Sequence, residues 1–374
     1  MAVYRFHINH LKVSSGRGAA RVVQYLVREG QYAPKQDEVE YLTRTSQATT
    51  DRDDLVHQEA ANLPGWAHGD AAGFFARAEQ HERANGRYAT TWQLALPKEL
   101  ALEEQVTMAR DFLEAHLAGK PYLWVLHDPV NEQGDHQPHI HVMFSERTHD
   151  GIERSGPAHY FKQWDRRQPE RGGCGKDRWF NQRNSVYEIR AAWCDWTNYT
   201  MERAGHEAHI HPSSLYKQGI DRKPEPKVGP SQDASLIAER DRIRQQRDTA
   251  MEQRKAAEGW EARKGKLGIT DVHQIPPAQF AQDTMRRARN VQPGQWVPGM
   301  PSPQAQHQAR QTRQHERREG EVRRLVAEIR ILERRQGRVR LPRGHGQETD
   351  AIRNGLRANL REDLPYEQRV GYGR

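Results

Sequence analysis

The stretch His136-Gln137-Pro138-His139-Ile140-His141-Val142-Met143-Phe144, HQPHIHVMF, carries the pattern from which the fold is read. A proline closes a polar loop, and the residues from His139 to Glu146 then read as a strand. Side chains at i and i+2 of a strand share a face, so His139 and His141 project together and Ile140 turns away. Pro121-Tyr122-Leu123-Trp124-Val125-Leu126-His127 reads as the preceding strand. If the two pair as a hairpin, His127 lies opposite the start of the second, and three imidazoles converge on one sheet face. The loop at 128–138 is longer than the usual two to five residues of a hairpin, so spacing alone leaves the register open. Three neutral imidazoles suit a divalent metal with open coordination positions. Such an ion polarises a phosphoryl oxygen as a Lewis acid. The bland alternative is ordinary sheet surface, which is the commoner setting of an isolated His-x-His.

Upstream, Val3-Tyr4-Arg5-Phe6-His7-Ile8 reads as another strand and Ser14 to Gly18 as a loop. Residues 18–29 fit a helix ended near Gly30, with Ala19, Val22, Val23 and Leu26 as its apolar stripe. Tyr25 falls about 120° from the middle of that stripe. Arg21 and Arg28, four residues before it and three after, share its face. Guanidinium groups beside a phenol favour its ionised form, and they also bind phosphate in a forked geometry. A tyrosine nucleophile attacking a phosphodiester needs that setting. Tyr32 is the alternative nucleophile, and an amphipathic tyrosine at a helix edge is the bland reading.

The remaining pattern predicts a possible short helix over 57–63 and a helix over 71–85. A strand follows over 88–96, then helices over 101–118 and 182–205. The last of these carries Trp193, Trp196 and Tyr199, three residues apart, which reads as core rather than as a base-stacking surface. The elements read from the pattern mix strands and helices, and a mostly helical, basic C-terminal extension follows them. The boundaries read as a head over 1–230, a charged helix over 231–267, a Pro-rich linker over 268–307 and a basic helical tail over 308–374. In the tail, Val322, Leu325, Ile329 and Leu332 keep a/d spacing for two heptads.

Composition narrows the function classes. The chain has 374 residues, 35% hydrophobic, and a mean hydropathy of −1.03. Two cysteines exclude a disulfide scaffold and a cysteine-rich zinc site. No apolar run reaches about 18 residues, so no membrane span is expected. The N-terminus lacks the apolar core of a signal peptide, which predicts a cytoplasmic protein. The net charge is +8, and the surplus of basic residues falls in the C-terminal third, leaving the head slightly acidic. A basic extension on such a head suits a nucleic acid or another polyanion.

At this point the chain resembles the MobA/MobL mobilisation relaxases of plasmids, members of the HUH endonucleases. The resemblance covers about residues 1–230. It rests on MAVYRFHIN, SSGRGAARVVQYLVREGQYA, ERANGR at 82–87 and LALPKEL at 94–100. It continues through HDP at 127–129, PHIHVMFSER at 138–147, DGIERSG at 150–156, RAGHEAHI at 203–210 and QGIDRKPEPKVGP at 218–230. It implies an α+β fold, an antiparallel sheet carrying the histidines with flanking helices, with Tyr25 as the nucleophile, His127, His139 and His141 as ligands of Mg²⁺ or Mn²⁺, and the tyrosine helix beside the metal. It also implies nicking of one strand at a plasmid transfer origin, with a 5′-phosphotyrosyl link and later rejoining. The expected partners are single-stranded or supercoiled origin DNA, accessory mobilisation proteins and a coupling protein. Arg21 and Arg28 are the expected DNA contacts.

One departure stands out. Relatives often carry Glu where this chain has Gln93, so a carboxylate from Asp128, Glu82 or Glu146, or water, must serve if a base is needed. The tail also lacks the Gly-Lys-Ser/Thr phosphate loop of a fused helicase. The alternatives are a rolling-circle replication initiator, a degenerate origin-binding protein that does not cleave, and a zinc hydrolase. The tyrosine upstream of the histidines favours the relaxase over the initiator. A zinc hydrolase leaves Tyr25 unexplained.

Overall fold

The computed structural model describes residues 4–15, 18–29, 54–130, 134–207, 209–226 and 233–290. Tyr32 and the tail beyond 290 lie outside them. Five strands form one sheet: β1 (Phe6–Lys12), β2 (Leu55–Ala61), β3 (Arg87–Ala95), β4 (Tyr122–His127) and β5 (His139–Phe144), in the order β1-β3-β5-β4-β2. Every neighbouring pair is antiparallel. β4 is buried along its whole length, as expected for a strand covered on both faces.

The helices are α1 (Ala19–Val27), α2 (Ala71–His81), α3 (Leu102–His116), α4 (Ser185–Arg203), α5 (Ala234–Gln245), α6 (Thr249–Leu267) and α7 (Pro277–Arg289), besides a single turn at Pro157–Tyr160. The strand alternation sends Trp92, Leu94, Trp124, Leu126, Ile140, Val142 and Phe144 to one face. There they pack against Phe112 of α3, Trp193 and Trp196 of α4, and Phe280 of α7. Leu123, Val125 and Met143 point to the opposite face and pack on Val23 and Leu26 of α1 and Phe74 and Phe75 of α2. The α+β architecture is therefore as expected, with the aromatic helix in the core: Trp193, Trp196 and Tyr199 are buried.

Three local readings change. Residues 55–61 form an edge strand rather than a short helix, because their alternate side chains meet β4 in register from Ala61↔Tyr122 to Leu55↔His127. The charged helix at 231–267 is two helices, broken at Gln246–Asp248, where the Asp248 side chain accepts from the Met251 N–H and starts the second. The stretch read as a Pro-rich linker contains α7. Pro277 sits at its first turn, where a missing N–H costs nothing. Phe280, Ala281, Thr284, Met285 and Ala288 are buried at helical spacing, and the Phe280 ring stacks on Tyr199 with centroids 4.1 Å apart.

Candidate metal centre and the tyrosine beside it

The register of the central hairpin builds the site. His127 pairs with His139, and Val125 with His141, so the three imidazoles share the face that α1 flanks. Their ring centroids lie 5.0–5.7 Å apart. One ligand nitrogen from each falls within 4.8 Å of the others, so the cluster could hold a metal ion.

Hydrogen bonds orient the rings. His139 Nδ1 lies 2.9 Å from the Gln137 carbonyl, which leaves the Nε2 lone pair for a metal. His127 Nε2 lies 2.9 Å from the Leu26 carbonyl. A carbonyl only accepts, so Nε2 carries the proton and the Nδ1 lone pair faces the Arg28 Nη2 donor at 3.3 Å, which a metal ion would have to displace. The last turn of the tyrosine helix therefore fixes the tautomer of a candidate ligand.

Burial favours the neutral, ligand-competent form of all three. It pushes His127 down to about 4, with Arg28 reinforcing the shift and Asp54 opposing it. It pushes His141 to about 2, helped by the neighbouring His139 and His127 and by Arg28 and Arg5. His139 is lowered as well, chiefly by burial, against the Gln137 hydrogen bond. Converging neutral imidazoles fit a divalent cation by donor chemistry.

Tyr25 stands at the rim. It is 41% exposed, and its ring meets His141 edge-on with centroids 6.2 Å apart. α1 ends at Val27 rather than near Gly30, with Arg28 in the left-handed region at φ 57° as its cap. A non-glycine residue there costs of order 1 kcal/mol, and the contacts of Arg28 offset it. Arg28 Nε and Nη2 donate to the two carboxylate oxygens of Asp54, each at 2.9 Å. Nη1 donates to the Tyr25 carbonyl at 3.1 Å, Nη2 lies 3.3 Å from His127 Nδ1, and the guanidinium sits 4.8 Å from the Tyr25 ring centre. Arg28 thus binds the tyrosine helix to the histidines with its charge compensated and only 8% of its surface exposed. Arg21 is exposed on α1.

Asp54 is the residue of this cluster that the sequence did not disclose. It lies in a run of polar residues with no periodicity, and only the pairing of β2 with β4 carries it to His127, with Oδ2 3.9 Å from Nδ1. The three carboxylates considered as bases are placed elsewhere. Glu82 is bound to Arg147 and Glu146 to Arg87 and Thr90, both beyond the far end of β5. Asp128 follows His127 but pairs with His136 at 2.7 Å. Gln93 is opposite His141 in register. A cavity of about 1090 Å³ lies near Arg147, Trp164 and Trp179, past the other end of β5. The histidine cluster lies at the opposite end of β5, with His127 buried and His139 and His141 half-buried.

A family model described as "MobA/MobL family" matches residues 34–237, a span that holds the three histidines and begins after Tyr25. "Mobilization protein A" of Escherichia coli is 35% identical over 234 residues, covering 62% of this chain and 30% of that protein. The "43 kDa relaxation protein" of Salmonella typhimurium is 35% identical over 223 residues, covering 57% and 56%. "Conjugal transfer protein TraA" of Agrobacterium fabrum is 29% identical over 242 residues, covering 60% and 21%. This chain therefore spans about a third of the length of the first relative and just over half of the second. A solved structure from "Molecular Basis of Vancomycin Resistance Transfer in Staphylococcus aureus" covers 57% of this chain and all of its own at 17% identity, with a TM-score of 0.39. Over more than half of its length the sequence fits one family description, and the chain belongs to the MobA/MobL family.

Proposed function

We propose that this protein is a relaxase that nicks one DNA strand at a plasmid transfer origin and later rejoins it. The observation that carries this reading is the meeting of Tyr25 and His141 at the rim of a three-histidine cluster. His127, His139 and His141 would hold Mg²⁺ or Mn²⁺, which supplies Lewis-acid polarisation of the phosphate. The Tyr25 oxygen attacks phosphorus, the P–O3′ bond breaks, and the proton lost by the phenol is balanced by the one gained at the 3′-oxygen. The product is a 5′-phosphotyrosyl link and a free 3′-hydroxyl, and the retained phosphoester energy allows rejoining. Arg28 holds the tyrosine helix against the histidines, and Arg21 is the cation of α1 that faces solvent.

We place its action on plasmid DNA in the cytoplasm, and no helix among the described residues is long and apolar enough to cross a membrane. The basic tail adds general DNA affinity, and accessory mobilisation proteins and a coupling protein complete the transfer complex. The test is to mix the full chain with Mn²⁺ and a single-stranded oligonucleotide spanning its plasmid's origin and to weigh the denatured product. A covalent adduct on Tyr25 is the expected result. Cleavage without an adduct indicates water as nucleophile, and binding without cleavage indicates an origin-binding protein.

A further inference from the structure

The register that gathers the histidines also gathers a second group on the same face. His7 pairs with Gln93 and Gln93 with His141. One step along, the Ala95 N–H donates to the Arg5 carbonyl at 3.1 Å, and Ala95 pairs with His139. Arg5 is therefore two strands from His139, roughly 10 Å away, with only the methyl group of Ala95 between them. Phe6, turned the other way, is buried in the core, which puts Arg5 on the histidine face.

The charge around Arg5 differs from that around Arg28. Arg5 is exposed, and its Nη2 donates to the amide oxygen of Gln93 at 3.2 Å. Among the described residues its guanidinium meets no carboxylate. Arg28 is buried and neutralised through the two bonds it donates to Asp54. A glutamate at 93 would draw Arg5 into an ion pair, whereas the neutral Gln93 positions the guanidinium and leaves its charge available.

Resting on the relaxase reading, we propose that Arg5 is the cation that grips a DNA phosphate beside the histidine cluster, and that Gln93 positions it for that contact. A phosphate placed over the small Ala95 side chain would lie between Arg5 and His139, and a guanidinium fork suits it. Arg28 then acts within the protein, and Arg5 acts on the strand.

The test is metal-free binding of the full chain, in EDTA, to a single-stranded oligonucleotide of the transfer origin. Affinity is measured over a range of KCl concentrations for the wild type, Arg5→Gln and Arg5→Lys. Neutral methylphosphonate linkages are walked along the strand. Arg5→Gln is expected to bind roughly tenfold more weakly, with a log–log salt slope shallower by about 0.7. One linkage should cost the wild type roughly tenfold when neutralised and cost Arg5→Gln nothing. Arg5→Lys should keep the wild-type slope and recover part of the affinity. Unchanged affinity and slope in Arg5→Gln, or equal sensitivity of both proteins to neutralisation at every linkage, overturns the assignment. The Tyr25 adduct assay reads the reaction separately: adduct formation with unaltered Arg5→Gln binding overturns the Arg5 assignment alone.

Discussion

Arg28 and Asp54 form a buried two-point ion pair, with both N···O distances 2.9 Å. Their side chains are 7% and 4% exposed. The pair joins the end of the tyrosine helix to the strand that flanks His127. Removing one partner leaves an uncompensated buried charge. Asp54→Ala should therefore lower stability by about 3–5 kcal/mol in urea unfolding, while Asp54→Ala combined with Arg28→Met should recover most of the loss. A single-variant loss below about 1 kcal/mol would show that water reaches Arg28.

The histidine cluster predicts a linkage between metal and stability. Wild-type protein should gain about 2.7 kcal/mol when Mn²⁺ is present at a hundred times its dissociation constant. His139→Ala with His141→Ala should gain nothing, because two of the three converging donors are gone. Thermal unfolding with and without Mn²⁺ checks this, and an equal gain in the variant would remove these histidines from the metal site.

Tyr25→Phe deletes only the phenol oxygen of a side chain that is 41% exposed. Adduct formation should fall by at least a thousandfold, roughly 4 kcal/mol or more of barrier, with Mn²⁺ binding unchanged. Persistence of the adduct at another tyrosine, located by peptide mass, would move the nucleophile.

His116 ties α3 to α7. It stacks on Phe112, its Nε2 lies 3.1 Å from the Thr284 hydroxyl, and burial holds it well below its ordinary 6.5, with Arg289, Arg287 and Lys120 adding to the shift. The unfolded chain takes up this proton as the pH drops through 6.5, and the folded chain does not until much lower. The contribution of His116 is thus fully present above 6.5 and is lost as the pH falls, by up to about 1.4 kcal/mol per pH unit. The stability of His116→Gln should fall less steeply than that of the wild type between pH 6.5 and 5. Parallel curves would show that His116 takes up its proton in the fold over the same pH range as in the unfolded chain.

The boundary of the folded head is also testable. Phe280 and Met285 of α7 are buried against the helix layer, and Arg289 lies 2.8 Å from the buried Asp177 carboxylate. A chain ending at 230 exposes that apolar surface, so it should melt lower or aggregate, whereas a chain ending at 290 should fold. Phe280→Ala should cost about 3–5 kcal/mol. Equal melting of the two truncations would make α7 a mere appendage.

Local alternation and periodicity in the sequence determined several features. His-x-His on one strand face, the apolar stripe of α1 with Tyr25 outside it, and the aromatic packing of α4 all depend on residues a few positions apart. The MobA/MobL resemblance added the order of the motifs. Tertiary structure alone decided the rest. Residues 55–61 became a strand because β4 offered them an edge, which their own sequence, LVHQEAA, does not signal. Pro276-Pro277 concealed α7 because proline marks a linker and a helix start alike, and only burial of Phe280 against Tyr199 separates the two. Asp54 reached His127, Arg28 turned inward, and Arg5 came onto the histidine face through strand pairings between segments distant in sequence. Such pairings follow from which apolar faces can be buried together, and a side chain's partners and the availability of its charge follow from those pairings.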